Sequence, residues 1–412
     1  MLDDKAVRAI REDFPILDQQ LHGKPLVYLD NAATTQVPRC VVEEIARHYA
    51  TDNANVHRSV HTLSSRSTKG LENARETVRR YIGAASTREI VFTSGTTASI
   101  NLLASMWAAR LRPGDVVAVS ALEHHSSLVP WQQACARTGA SFEVVPLDAK
   151  GDVDLAALEK LLARGNVSLL SIAHASNVLG TVSPIKEICN LCHRYGTVVS
   201  VDAAQSTRHE TIDVCELDCD FVSFSGHKMC GPTGIGVLYG KAELLESLGP
   251  VMFGGEMVDK VRFGESTFED IPIRFEPGTP NYVGAIALAR AIDYLEDVGR
   301  ESISVYEHFL VGEVEKGLKE IEGVRILGAP VMRAGCVSFS AEGLHPFDIA
   351  SFVDKKGVAI RSGNQCAQPL LNEVYDDGLI CRISPAFYNT QGEIEECLAI
   401  VDEVIGFLRR IG

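Results

Sequence analysis

Residues 221–236, FVSFSGHKMCGPTGIG, decide how the rest of the chain is read. Phe221 to Phe224 is a short apolar run of strand type. It breaks into Ser225, Gly226, His227 and Lys228, passes a turn rich in Gly and Pro, and resumes as an apolar strand over 235–238. A lysine at the tip of a buried strand loses its proton readily when desolvated, and can then attack a carbonyl carbon. Ser225 and His227 beside it offer hydrogen-bond donors that suit a phosphate. Taken by itself, the stretch reads equally well as a surface loop with one exposed lysine.

Residues 197–205, TVVSVDAAQ, lie about twenty positions upstream. The run over 197–201, β-branched except at Ser200, predicts a buried parallel strand. Asp202 closes it, and open α/β sheets bind ligands at the carboxyl ends of their strands. A carboxylate there can hold a protonated ring nitrogen. An acidic partner for a pyridinium nitrogen and a lysine for Schiff-base attachment are what pyridoxal 5'-phosphate requires. The two strand ends together favour the cofactor over the surface loop.

VDAAQ followed by SFSGHKMCGPTGIGVLYG resembles the cofactor site of the class V aminotransferase family, and within it the SufS-type (group II) cysteine desulfurases. The likeness runs from about residue 14 to the C-terminus and recurs in several separate motifs. It implies an α/β chain of fold type I among pyridoxal-phosphate enzymes: a large domain with a mainly parallel sheet and a smaller α+β domain. Residues 21–290 are expected to form the large domain. Residues 291–412, with 1–20 packed on them, are expected to form the small one.

Length and composition agree with two such domains. The chain has 412 residues and a net charge of −15, which argues against nucleic acid or an anionic membrane as partner. Its first residues, MLDDKAVRAIREDF, are charged and of helical pattern, unlike a signal peptide. No apolar run approaches a membrane span, and a cytoplasmic location is expected. The eleven cysteines form no small-domain disulfide pattern. Cys189 and Cys192 make a C-x-x-C inside a helical stretch, where core packing is the better reading than metal binding.

Along the chain, helices are expected over 7–14, 39–50, 67–81, 98–109, 128–138, 154–163, 185–195, 282–298, 303–320, 350–356 and 394–410. Strands alternate with them, which predicts a parallel sheet. Three small-domain strands are expected near 324–327, 336–340 and 358–360. The turn SGTT over 94–97, between a strand and a helix start, is a ready anion site: free N–H groups and the helix dipole converge there. Such turns also merely cap helices.

By resemblance, Gly95, Thr96, Thr97, Ser225 and His227 would bind phosphate. Gln205 would bond the ring oxygen, and His124 of LEHHSS would stack on the ring, His125 being a lesser candidate. Asn177 of HASNVLG would reach towards the substrate carboxylate, which Arg382 of CRISPAFYNT would grip with its two-pronged guanidinium. A structural salt bridge is the alternative for Arg382. His57 and Arg58, in the polar loop NVHRSVHT, would lie over the active site. The turn DNAATT at 30–35 would line the mouth of the cleft. FGGEMV at 253–258 and RFEPGTPN at 274–281 would lie near a homodimer interface, with Thr279 touching the phosphate bound by the neighbouring subunit.

A second chemical centre is RSGNQCAQP at 361–369. Cys366 sits among small and polar residues, unlike a core cysteine. The thiolate is the nucleophile, and a free thiol ionises near about 8.5, so Arg361 nearby would favour it. An exposed, inert cysteine is the other reading. The loop resembles the R-[ST]-G-H-H-C-A-x-P segment of group II desulfurases, whose cysteine accepts sulfur. Asn364 and Gln365 replace both histidines, which puts whatever those histidines contribute in doubt. The resemblance implies conversion of L-cysteine to L-alanine, with sulfur passing through Cys366 to an acceptor or iron–sulfur scaffold protein. Selenocysteine lyase, or another class V aminotransferase or epimerase, is the neighbouring alternative. A sulfur carrier using Cys366 without turnover is the one from another class.

Overall fold

The structure is a computed structural model that describes residues 2–57 and 59–411. Its centre is a seven-stranded mixed sheet. In chain order the strands are β1 (Ile90–Thr93), β2 (Val116–Ser120), β3 (Ser141–Val145), β4 (Val167–Ala173), β5 (Val198–Asp202), β6 (Phe221–Ser225) and β7 (Gly236–Gly240). In space they run β1-β7-β6-β5-β4-β2-β3. Only β7 is antiparallel to its neighbours. β2, β6 and β7 are buried along their whole length, as expected of strands covered on both faces. One apolar layer includes Trp107, Trp131 and Phe221; the other includes Val201, Val222, Phe224 and Val237.

A second sheet is formed by β8 (Val324–Ile326), β9 (Val337–Ala341), β10 (Arg361–Gly363) and β11 (Ile380–Ile383), in the order β8-β9-β11-β10. The strand expected at 358–360 departs from the reading. Val358–Ala359 pairs in parallel with Val27–Tyr28 instead, and the sheet takes Arg361–Gly363. Leu26, Val27 and Leu29 are apolar and buried there, so this early segment is packed against the C-terminal part of the chain. The N-terminal helix packs there too, through Arg11 to Glu393 at 2.7 Å.

Several helices begin earlier than their apolar periodicity suggests, because polar caps start them. Asp3 accepts the Ala6 N–H at 2.8 Å, so the first helix is Asp4–Arg11 rather than 7–14. His61 caps Thr62–Tyr81, and His124 caps His125–Thr138. Cys189 and Cys192 are buried on one helix, Ile185–Arg194.

The two parts of the chain meet at a buried ion pair. Glu307, on the helix Arg300–Glu320, receives Arg208 Nε at 2.9 Å and Nη2 at 2.8 Å, and the Phe387 N–H at 2.9 Å. Burial alone would raise the Glu307 pKa, but Arg208 and His209 overcome it and hold the carboxyl down at about 2. Glu307→Ala would leave the Arg208 charge buried without its partner. The expected loss is about 3–5 kcal/mol of unfolding free energy, read as a lowered denaturant midpoint. A loss below about 1 kcal/mol would show that the pair is no joint between the two parts.

Candidate active site

A cleft of about 200 Å³ lies at the carboxyl ends of the strands. Five of the seven strands contribute: Thr96 and Thr97 after β1, His124 and Ser126 after β2, Asn177 after β4, Asp202 at the end of β5 and Gln205 after it, and Lys228 after β6. The order of the sheet explains the place. β2 and β4 are neighbours, but the connection after β2 runs outward to β3 and the one after β4 runs the other way. A crevice opens where neighbouring connections diverge.

Lys228 ends a single 3₁₀ turn, Gly226–Lys228, that follows β6. Burial lowers its amine from the ordinary 10.5 to about 8; Asp202 opposes this, while Arg382 and Arg361 add to it. A large fraction of the amine is therefore neutral and nucleophilic near pH 8. Asp202 is 6% exposed, and its Oδ1 accepts the Ala204 N–H at 2.9 Å. Burial raises its carboxyl, opposed by that bond and by Lys228. Burial, then the charge of Lys228, holds His124 down at about 3. Its Nδ1 accepts the Ser126 N–H at 3.0 Å, so the ring is neutral with its proton on Nε2.

The expected phosphate residues gather on one side. The Thr96 N–H donates to Ser225 Oγ at 2.7 Å, and the Thr96 and Ser225 hydroxyls are also 2.7 Å apart. Gly95, at φ 143°, lets the strand turn into the helix Thr96–Ala108. β7 passes directly beneath: a Cβ on Gly236 would lie 2.4 Å from Gly95 Cα, so position 236 requires glycine for space as Gly95 does for its φ. The Thr97 hydroxyl meets Ser126 at 2.6 Å. Burial, then Lys228, keeps His227 at about 4, and its ring meets Thr34 Oγ1 at 3.3 Å. A helix N-terminus, rotatable hydroxyls, a neutral ring, a buried carboxylate and a depressed lysine fit pyridoxal phosphate.

The turn at 30–35 does more than line the mouth. The Thr35 N–H donates to the His227 carbonyl at 2.9 Å, and the Cys230 N–H donates to Thr35 Oγ1 at 2.8 Å. Gln205 Nε2 donates to the Ala32 carbonyl at 2.8 Å, so part of its donor capacity is spent on this turn. Asp30 meets Arg382 Nη2 at 3.0 Å and Arg361 Nη1 at 3.5 Å. The salt-bridge alternative for Arg382 is thus present, although Arg382 still lines the cleft and its buried Nε has no partner among the described residues. The sequence reading placed Asp30 only in a turn at the cleft mouth and gave it no partner. Its signal was its place beside two cleft arginines, which only the fold displays.

Cys366 lines the same cleft as Lys228. Gln365 and Cys366 are both left-handed, at φ 54° and 55°. Asn364 Oδ1 accepts the Cys366 N–H at 3.0 Å. Asn177 is in the cleft, but its side-chain amide donates to the Gln365 carbonyl at 2.7 Å, so it grips this loop as well. His125, the lesser candidate, does not line the cleft; it too binds the Cys366 loop. Two other expected residues lie elsewhere in the chain. His57 is exposed, with its N–H on Thr68 Oγ1 at 2.8 Å. Thr279 is exposed beside a separate hollow with Phe92 and Asn281. Arg58 lies outside the described residues.

Fold and site together define an α/β enzyme that uses pyridoxal phosphate. The chain belongs to the class V aminotransferase family, whose model matches residues 27–397. A relative from Halalkalibacterium halodurans named "Probable cysteine desulfurase" is 48% identical over 387 residues, covering 94% of this chain and 95% of the relative. One from Synechocystis sp. with the same name is 46% identical, covering 97% and 95%. Among solved structures, the cysteine desulfurase CsdA (S-sulfonic acid) of Escherichia coli superposes with a TM-score of 0.90 at 37% identity, over 99% of each chain. The apo cysteine desulfurase of Thermococcus onnurineus gives 0.92 at 36% identity, over 98% of this chain and 99% of that one.

The lowered Lys228 amine has a direct consequence. Its neutral form accumulates as pH rises through about 8, well below the ordinary 10.5. The rate at which pyridoxal phosphate attaches to the cofactor-free protein should rise to a plateau centred near that pH. A rate still climbing at pH 10.5 would mean a solvated lysine.

Proposed function

We propose that the protein is a cysteine desulfurase of the SufS type, converting L-cysteine to L-alanine and passing the sulfur on from Cys366. The observation that carries this reading is one cleft lined by both Lys228 and Cys366. Transamination and epimerisation need no thiol there.

When bound, pyridoxal phosphate supplies an aldehyde for attachment and an electron sink. The chain supplies the rest. Lys228 would hold the cofactor and, as a free amine, would move a proton at the substrate Cα. Asp202 would keep the ring nitrogen protonated. Thr96, Thr97, Ser225 and His227 would hold the phosphate, and His124 and Gln205 would contact the ring. Arg382 and Arg361 orient the substrate carboxylate, with Asp30 holding the two cations side by side. Asn177 orients the loop that brings the thiol in. The Cys366 thiolate attacks the substrate sulfur: an S–S bond forms, the C–S bond breaks, and its electron pair stays on carbon. That carbon takes a proton and becomes the alanine methyl, while Cys366 is oxidised to a persulfide.

The persulfide then passes its sulfur to an acceptor, in this reading a scaffold or carrier protein of iron–sulfur cluster assembly. A cytoplasmic setting suits the eleven free cysteines. Among the described residues no helix is long and apolar enough to cross a membrane. The exposed position of Thr279, away from its own chain's cleft, supports a homodimer in which it completes the neighbouring phosphate site.

Cys366→Ala should keep its bound cofactor and lose at least about 100-fold in alanine formation from L-cysteine, about 2.7 kcal/mol in barrier height. Lys228→Ala should lose turnover altogether. Native turnover in Cys366→Ala would replace the desulfurase reading with a thiol-independent lyase. Light scattering at micromolar concentration should show a dimer. A monomer holding its full complement of cofactor would remove Thr279 from the site.

A further inference from the structure

The loop carrying Cys366 leans against the helix His125–Thr138. His125 is the first residue of that helix, so its N–H has no partner within the helix. It donates instead to the Cys366 carbonyl at 2.8 Å. The same residue returns to the loop through its side chain: Nε2 accepts the Gln368 backbone N–H at 3.0 Å. One histidine thus holds the loop at Cys366 and again two residues on. From the other side Asn177 holds the Gln365 carbonyl.

The loop needs holding. Gln365 and Cys366 are consecutive left-handed residues and neither is glycine, so the backbone there stores strain that the surroundings must maintain. The imidazole accepts at Nε2 only while that nitrogen carries no proton. Burial holds the His125 ring below the ordinary histidine value, which keeps this acceptor available.

We infer that His125 is a positioning residue, a latch whose imidazole keeps the Cys366 loop turned into the cleft and whose release frees the loop to swing outward. The consequence for sulfur delivery rests on the desulfurase reading: the latch sets how readily a persulfide on Cys366 is presented to a protein acceptor. The latch itself is a statement about the loop alone.

The test uses the cofactor-loaded enzyme and two readouts independent of turnover. These are hydrogen–deuterium exchange of peptides spanning 364–371 and the rate of Cys366 alkylation by iodoacetamide, located by peptide mapping. Both substitutions at 125 keep the backbone N–H, so differences report the side chain. His125→Ala should speed both readouts by about fivefold, the factor expected when one hydrogen bond is lost from a local opening equilibrium. His125→Gln offers an amide oxygen in place of Nε2 and should bring both rates back towards native. Cofactor absorbance and the melting temperature confirm that each variant is folded. Native rates in a folded His125→Ala would overturn the latch. The native enzyme tests it without any variant: the Gln368 amide should be protected, and exchange at the rate of an open loop would overturn the inference equally. Native turnover in Cys366→Ala would defeat the desulfurase reading while leaving these loop rates untouched, so the two failures are separable.

Discussion

Partial desolvation of one half-buried amine is the constraint on which the rest of the molecule depends. Lys228 follows a strand that is buried along its whole length, and desolvation penalises its charged form. Asp202 pulls the other way from the end of the neighbouring strand; Arg382 and Arg361 side with burial. The balance leaves the amine with a pKa near 8, reactive without being permanently neutral. A parallel sheet suits the task because it lines up strand ends on one side. Side chains from five connections converge there, while the backbone polar groups of the strands are satisfied within the sheet.

The second requirement is electrostatic. Two arginines in one cleft repel each other and depress the lysine as well. Asp30 lies between them, in contact with both, and belongs to the turn that also holds the His227 carbonyl through Thr34 and Thr35. The two cleft arginines and the segment leading into Lys228 are therefore braced from the same six residues. Arg208 adds another brace, donating to the Lys228 carbonyl at 3.3 Å while paired with Glu307 across the two parts of the chain. The joint between those parts and the backbone of the reactive lysine share one buried guanidinium.

Much of this was legible in the sequence where the signal is local. The largely β-branched run ending in Asp202 announced a parallel strand, the apolar run ending at Phe224 announced a strand, and SGTT announced a helix start with free N–H groups. The start of the helix at 125 was harder to read. Its first residues are polar, so the apolar periodicity begins only at Leu128, and His124 was read for its ring rather than for the cap it also makes. Val358–Ala359 showed a strand's composition without its partner, because pairing with Val27–Tyr28 is settled by which surfaces meet. Gln205 and Asn177 were found as cleft residues, yet their bonds to Ala32 and Gln365 were not, since an amide's partner depends on what the fold brings within reach.

What the sequence by itself determined is the set of chemical parts and their attachment to strand ends: a lysine, an acid, a helix start, a cysteine loop. Periodicity and turn chemistry act over a few residues, and these parts are encoded at that range. What only the tertiary structure decided is how the parts constrain one another. Asp30 and Arg382 are 352 positions apart, and His125 and Gln368 are 243 apart. No local preference couples such residues. They meet because burying the apolar faces of the sheet and its helices leaves one arrangement of strand ends, and charge balance and hydrogen bonding then act on the neighbours that packing has made.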